Sequence, residues 1–297
     1  MYNEIAANKR KTVFLMFGFL VLVGALAWIL SDVYKDKSIL VITAVFAVGY
    51  SLWGYFASSK LALTINGAKQ IQKTDNPRLF RIVENLAITE GLPTPKVYII
   101  DDTGLNAFAT GRDPEHASVA ITSGLLDTLE DPELEGVIAH ELGHVKNYDI
   151  RVSMVAFALV GVVSLLSDIF LRISFWGGMG GDDSSDNDSG NSVMMVLAIV
   201  ALVLAPIVAT LMQLAISRRR EYLADASGAL TTRYPEGLAR ALEKIRDGGP
   251  SLRRQNSSTA HFFIENPLKG KSISSLLSTH PPVEDRIRIL RNMIGTK

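Results

Sequence analysis

At 297 residues, with 48% hydrophobic side chains and 20% charged ones, the chain is too apolar for an ordinary soluble enzyme yet carries enough charge for a folded aqueous domain. Thirty basic residues balance thirty acidic ones, so no overall field points to nucleic acid or acidic substrates as partners. The absence of cysteine excludes disulfides, thiolate metal sites and a cysteine nucleophile; it leaves His, Asp and Glu as the strong metal ligands and favours a reducing compartment.

Residues 12–30 hold no charge and are long enough to cross a hydrocarbon core of roughly 30 Å at about 1.5 Å per residue. Lys9, Arg10 and Lys11 precede them as in a signal peptide, but the apolar run exceeds the usual ~7–15 residues and no small-x-small cleavage site follows. Residues 38–57 form a second such segment, joined to the first by the short polar turn 31–37, which makes a hairpin. An aqueous stretch follows. Asn76 and Pro77 open an amphipathic helix through Glu90, and the Gly91 to Pro95 run ends it. Runs at 97–100, 107–110 and 118–122, separated by Gly, Asp and Pro turns, predict a small β-sheet. Asp131 is the expected cap of the next helix, with Pro132 at its first position and Glu133 favourable to the dipole.

That helix carries His140-Glu141-Leu142-Gly143-His144, an instance of H-E-x-x-H. Residues four apart share a helix face, so two imidazoles can bind one tetrahedral zinc while Glu141 points at the open ligand position. A catalytic zinc needs a third protein ligand as well.

Two further apolar segments, 152–171 and 193–216, complete about four spans; the second contains Pro206, which membrane helices tolerate. A buried helical hairpin of a soluble domain is the competing reading. Basic residues near the segment ends fall mostly on one side: Lys9, Arg10, Lys11, Lys60, Arg151 and Arg218 to Arg220, against Lys35, Lys37 and Arg172. The positive-inside rule then makes both termini cytoplasmic. The outward loop 176–192, with Asp182, Asp183, Asp186 and Asp188, lacks EF-hand spacing and reads as a solvated linker. After the fourth segment, Glu221 and Asp225 share a helix face; a third zinc ligand with a supporting carboxylate and a surface ion-pair helix both fit that spacing. Arg218 to Arg220 read as an orientation anchor for anionic headgroups. Val283, Ile287, Leu290 and Met293 stand at the spacing of a core-facing helix. His116 and His261 have no companion at ligand spacing and are assigned no role.

The ordered set of these features resembles the membrane-bound zinc peptidases related to the bacterial heat-stress protease HtpX, a group that includes the CAAX prenyl proteases. The matching parts are two N-terminal apolar helices, Leu105 to Gly111, His140 to His144, two more apolar segments, Arg218 to Asp225, and Ser278-Thr279-His280-Pro281-Pro282. The resemblance implies one Zn2+ per chain on His140, His144 and Glu221, Glu141 as catalytic base, and an active site facing the cytoplasm. It further implies Asp225 as support for a ligand imidazole, His280 as a donor to the developing oxyanion, and the strand Asn106, Ala107, Phe108 and Ala109 as a substrate-binding edge beside the zinc.

The expected fold class is mainly α with a small β-sheet: a multi-spanning protein of the inner membrane with a cytoplasmic zincin-like metallopeptidase domain. Residues 1–57 are the N-terminal hairpin, 58–151 the first part of the peptidase domain, 152–216 the second hairpin, and 217–297 the second part. The expected function is endoproteolysis of misfolded or damaged membrane and cytoplasmic polypeptides, with polypeptides and the lipid bilayer as partners and the quality-control role resting on the resemblance. The alternatives are a dedicated processing protease of CAAX type and a membrane scaffold with a structural metal.

Overall fold

Two long helices open the chain in the computed structural model, which describes residues 2–161, 218–248, 252, 263–264 and 281–293. Helix α1 (Tyr2–Tyr34) and helix α2 (Ser38–Ile65) pack side by side as the expected hairpin. The turn between them is shorter than residues 31–37, because α1 continues to Tyr34 and the Asp36 carboxylate already accepts the Ser38 N–H (2.9 Å) and hydroxyl (2.7 Å). Among the described residues one helix, Ser38–Ile65, is long and apolar enough to cross a membrane. Its Val41, Ile42, Val45, Phe46 and Leu52, with Val13, Phe14 and Phe17 of α1, are exposed large apolar side chains.

Three of the four strands coincide with the expected runs. Strands β1 (Ala68–Gln70), β2 (Lys96–Ile100), β3 (Ala107–Thr110) and β4 (Ser118–Thr122) form one sheet in the order β1-β2-β4-β3. The β2 and β4 strands run parallel, with Lys96 opposite Ser118; the other two pairings are antiparallel. Strand β3 is therefore an edge.

Helix α3 (Pro77–Glu90) starts where Asn76 Oδ1 accepts the Leu79 N–H at 3.0 Å, and ends at Gly91 in a left-handed conformation. The short α4 (Ser123–Thr128) follows β4 directly. Helix α5 (Asp131–Lys146) is capped one residue earlier than expected: Glu130 holds the cap position, and its N–H donates to the Glu133 carboxylate at 2.9 Å. Asp131 is thereby free to pair with Arg78 instead, at 2.5 Å. A further helix, α6, spans 149–161 and is the described part of the third apolar segment. Its Val152, Val155 and Leu159 bury against Leu15 and Phe19 of α1, and its Ala158 C=O accepts from the Tyr50 hydroxyl of α2 at 3.1 Å. The rest of that segment, the fourth segment, the loop 176–192, His261 and His280 lie outside the described residues.

Helices α7 (Arg218–Thr232) and α8 (Pro235–Asp247) pack on α5, and α9 (Val283–Asn292) packs on α8 and α7. The main core joins Leu134, Val137, Ile138 and Leu142 of α5 to Leu79 and Val83 of α3, Leu238 and Leu242 of α8, Leu290 of α9, and Val119 and Ile121 of the sheet. Burying side chains of this size contributes about 1.5–3 kcal/mol each, so the core fixes α5 from every side. Of the expected core positions on the last helix, Ile287 and Leu290 are buried and Val283 packs against them, whereas Met293 lies past the helix end, 37% exposed. The fold is mainly helical with a small mixed sheet.

Candidate active site

Helices α5 and α7 face each other through two pairs of residues four apart: His140 meets Asp225, and His144 meets Glu221. The helices come this close because Gly228 has no side chain; a Cβ there would lie 3.0 Å from the His140 backbone nitrogen. His140 Nδ1 stands 2.9 Å from Asp225 Oδ1, and His144 Nδ1 stands 3.0 Å from Asp149 Oδ2. An ionised carboxylate can only accept, so both Nδ1 atoms carry hydrogens, and in the neutral rings both Nε2 atoms keep their lone pairs.

Those two Nε2 atoms are 3.2 Å apart, with Glu221 oxygens 3.8 Å and 3.5 Å away. Three acceptors converging on one point repel one another unless a proton or a cation lies between them. Two nitrogens sharing one tetrahedral zinc at about 2.0–2.1 Å stand about 3.3 Å apart, so the spacing and the chemistry of the donor set fit that ion. His140, His144 and Glu221 are thus a group able to hold a metal.

In the metal-free site a proton fills this role. Burial, the largest influence, disfavours the His144 cation, but Asp149, Glu221 and Glu141 together outweigh it and raise its pKa from 6.5 to about 9. The folded value lies above the ordinary one, so His144 is charged near neutral pH and loses its proton as the pH rises through about 9. Metal binding needs the neutral ring. Binding near neutral pH should therefore release close to one proton from His144, and affinity should weaken by about tenfold per pH unit below that pKa. Calorimetric titration of metal-free protein in buffers of different ionisation enthalpy measures the release; binding without proton release would contradict the arrangement.

Glu141 lies one step round α5 from His140. Its Oε2 accepts the Ala109 N–H of β3 at 2.7 Å, which points the carboxylate toward the cluster. Burial, the largest influence, pushes its pKa above the ordinary value, while His140 and His144 pull the other way. The carboxyl is thus set toward the range in which it can both take and return a proton. On the same edge of β3, the Ala107 C=O accepts the Ile264 N–H at 3.1 Å, and Phe108 packs edge-to-face on Phe263. Asn106 is buried at the start of the strand. The edge expected for substrate thus lies beside Glu141, with two of its outward backbone groups already engaged.

A model of peptidase family M48 matches residues 73–294. The chain belongs to peptidase family M48. It is similar over nearly its whole length to curated M48-type relatives named as HtpX homologue proteases. One from Tropheryma whipplei (strain Twist) is 52% identical over 99% of this chain and 98% of its own. Another from Streptococcus uberis is 44% identical over 99% of this chain and 100% of its own. In fold it is similar to the crystal structure of S. mikatae Ste24p, with a TM-score of 0.51 and 21% identity over 98% of this chain and 67% of that one. The M48 chain described here is a metalloprotease.

Two residues of this M48 site were not singled out from the sequence. Arg286 of α9 is fully buried and pairs twice with Asp225, Nε to Oδ2 at 2.8 Å and Nη2 to Oδ1 at 2.7 Å. Burial alone would raise the Asp225 pKa, but Arg286 and His140 hold it at about 2, so Asp225 is a permanent acceptor for His140. Asp149 Oδ2 faces His144 Nδ1 at 3.0 Å, and Arg220 Nε reaches Asp149 Oδ1 at 3.1 Å. Arg220, read as a headgroup anchor, instead points inward and is 5% exposed. His116 ends the short 3-10 turn Pro114–His116, where its Nδ1 stands 2.6 Å from Asp113 Oδ1; contrary to the sequence reading it does have companions, since Asp113, Glu115 and His116 form a second, more exposed group able to hold a metal.

Proposed function

We propose that this M48 metalloprotease is an integral-membrane zinc endopeptidase of the inner membrane, with about four spans, a cytoplasmic active site, and misfolded or damaged membrane and cytoplasmic polypeptides as substrates. The observation that carries the zinc reading is the convergence of three acceptors, His140 Nε2, His144 Nε2 and Glu221, each imidazole fixed from behind by a carboxylate. The membrane reading is supported by the apolar helix Ser38–Ile65 and by the exposed apolar faces of α1 and α2. Basic residues gathered at one end of the apolar segments support the cytoplasmic orientation.

Zinc bound there supplies Lewis-acid polarisation of a peptide carbonyl and acidification of a water. Glu141 takes the proton of the attacking water and delivers it to the amine nitrogen that leaves. The Ala109 N–H keeps the carboxylate aimed through both transfers. An extended substrate adds to the edge of β3, displacing the Ile264 N–H from the Ala107 C=O where the two compete. Backbone pairing of this kind ignores side-chain identity, which suits unfolded polypeptides. The resemblance assigns His280, outside the described residues, the role of donor to the carbonyl oxygen as negative charge develops on it.

The purified chain in detergent should cut an unfolded polypeptide such as casein, lose that activity with a chelator and regain it with added zinc. Zinc binding without casein cleavage would point instead to a narrow processing protease or a scaffold.

A further inference from the structure

The polar chain that ends on His144 begins in the first helix. Asn8 of α1 is 1% exposed; its Nδ2 finds partners, while its buried Oδ1 has none among the described residues. Its Nδ2 donates to the Asn147 C=O at 2.9 Å and to Asp149 Oδ1 at 2.7 Å. Arg220 Nε reaches the same Oδ1 at 3.1 Å, and the other oxygen, Oδ2, stands 3.0 Å from His144 Nδ1. Two donors on one oxygen fix the plane of the carboxylate, so the remaining oxygen is aimed at the imidazole.

The backbone makes this support necessary. Between α5 and α6, Tyr148 adopts a left-handed conformation (φ 60°), uncommon for a bulky side chain and stable only where the surroundings hold it. That turn brings Asp149 back toward His144, and Asn8 grips the residues on both sides of it. Further along α1, Leu15 and Phe19 bury against Val155 and Leu159 of α6.

We infer that Asn8 is a positioning residue for the metal site: it holds the Asp149 carboxylate, and through it the His144 ring, so the first helix is a working part of the metal centre and not merely its anchor. The inference rests on His144 being a metal ligand.

The test is the zinc affinity of metal-free, full-length protein in detergent, measured against a competing chelator. Asn8→Leu should weaken binding by roughly tenfold, the low end of the range for groups that support a ligand. It should also lower kcat with little change in KM. Leu15→Ala, which loosens the same helix through packing alone, should lower the thermal midpoint yet keep wild-type affinity. Asp149→Asn should weaken binding more, and adding Asn8→Leu to it should cost nothing further, because the two act as one unit. If Asn8→Leu does not purify as a folded species, Asn8→Ala is read in the same way. Wild-type affinity in the Asn8 variant, or full additivity with Asp149→Asn, would overturn the inference. Failure of the wild type to bind zinc would instead overturn the metal reading on which it rests.

Discussion

Glu141→Gln is expected to lower peptide hydrolysis by about 10²–10⁴-fold, the usual contribution of a positioned acid-base group, while zinc binding stays at the wild-type level. The substitution keeps the size of the side chain and an oxygen able to accept the Ala109 N–H, so the geometry between α5 and β3 should survive. What it removes is the capacity to take a proton from water and hand it to the leaving nitrogen. Steady-state turnover of casein, with metal content measured on the same preparation, separates the two effects. Turnover within tenfold of wild type would mean that another group is the base.

Arg286→Met should cost about 3–5 kcal/mol of stability, as expected when one partner of a buried ion pair is removed and the other stays uncompensated. The fully buried guanidinium is the main counter-charge of Asp225, which would otherwise sit buried near Glu221 and Glu141. Without it the Asp225 carboxyl should rise from about 2 toward protonation and weaken as an acceptor for His140 Nδ1–H. Zinc affinity should fall together with stability. Thermal unfolding of the metal-free protein and chelator competition measure the two. The double variant Arg286→Met, Asp225→Leu should recover much of the stability and none of the affinity, since an apolar pair removes the unpaired charge but not the need to orient His140. Unchanged stability in Arg286→Met would show that the pair carries no weight in the fold.

The legible parts of this chain were those governed by local rules. Asn76 with Pro77 marked the start of α3, strand-like runs marked β2, β3 and β4, and the i, i+4 histidines lay on one face of a capped helix. Strand β1 was missed because Ala68-Lys69-Gln70 is three residues long with no apolar alternation; it is a strand only because β2 offers an edge. The cap of α5 was placed at Asp131 because Asp is the better capping residue, but Glu133 reaches back to the Glu130 N–H and shifts the boundary by one. Arg286 lies among the core-spaced positions Val283, Ile287 and Leu290, and that spacing does not mark it as buried; its burial depends on α7 bringing Asp225 to the same place, a contact across 61 residues. Asp149 stands five residues after His144, off the helical face, and returns to it only through the left-handed turn at Tyr148. His140, His144 and Glu221, the group able to hold a metal, were therefore readable from spacing and resemblance, whereas the groups that orient them come from tertiary packing.

The most direct measurement of the central claim, that His140, His144 and Glu221 act together to hold one zinc, is the metal content of purified wild type and Glu221→Ala after dialysis against a weak chelator, with helical content followed by circular dichroism. Wild type should retain about one zinc per chain, and Glu221→Ala should lose most of it while keeping its helices. Full zinc retention by the folded Glu221→Ala variant would contradict the site.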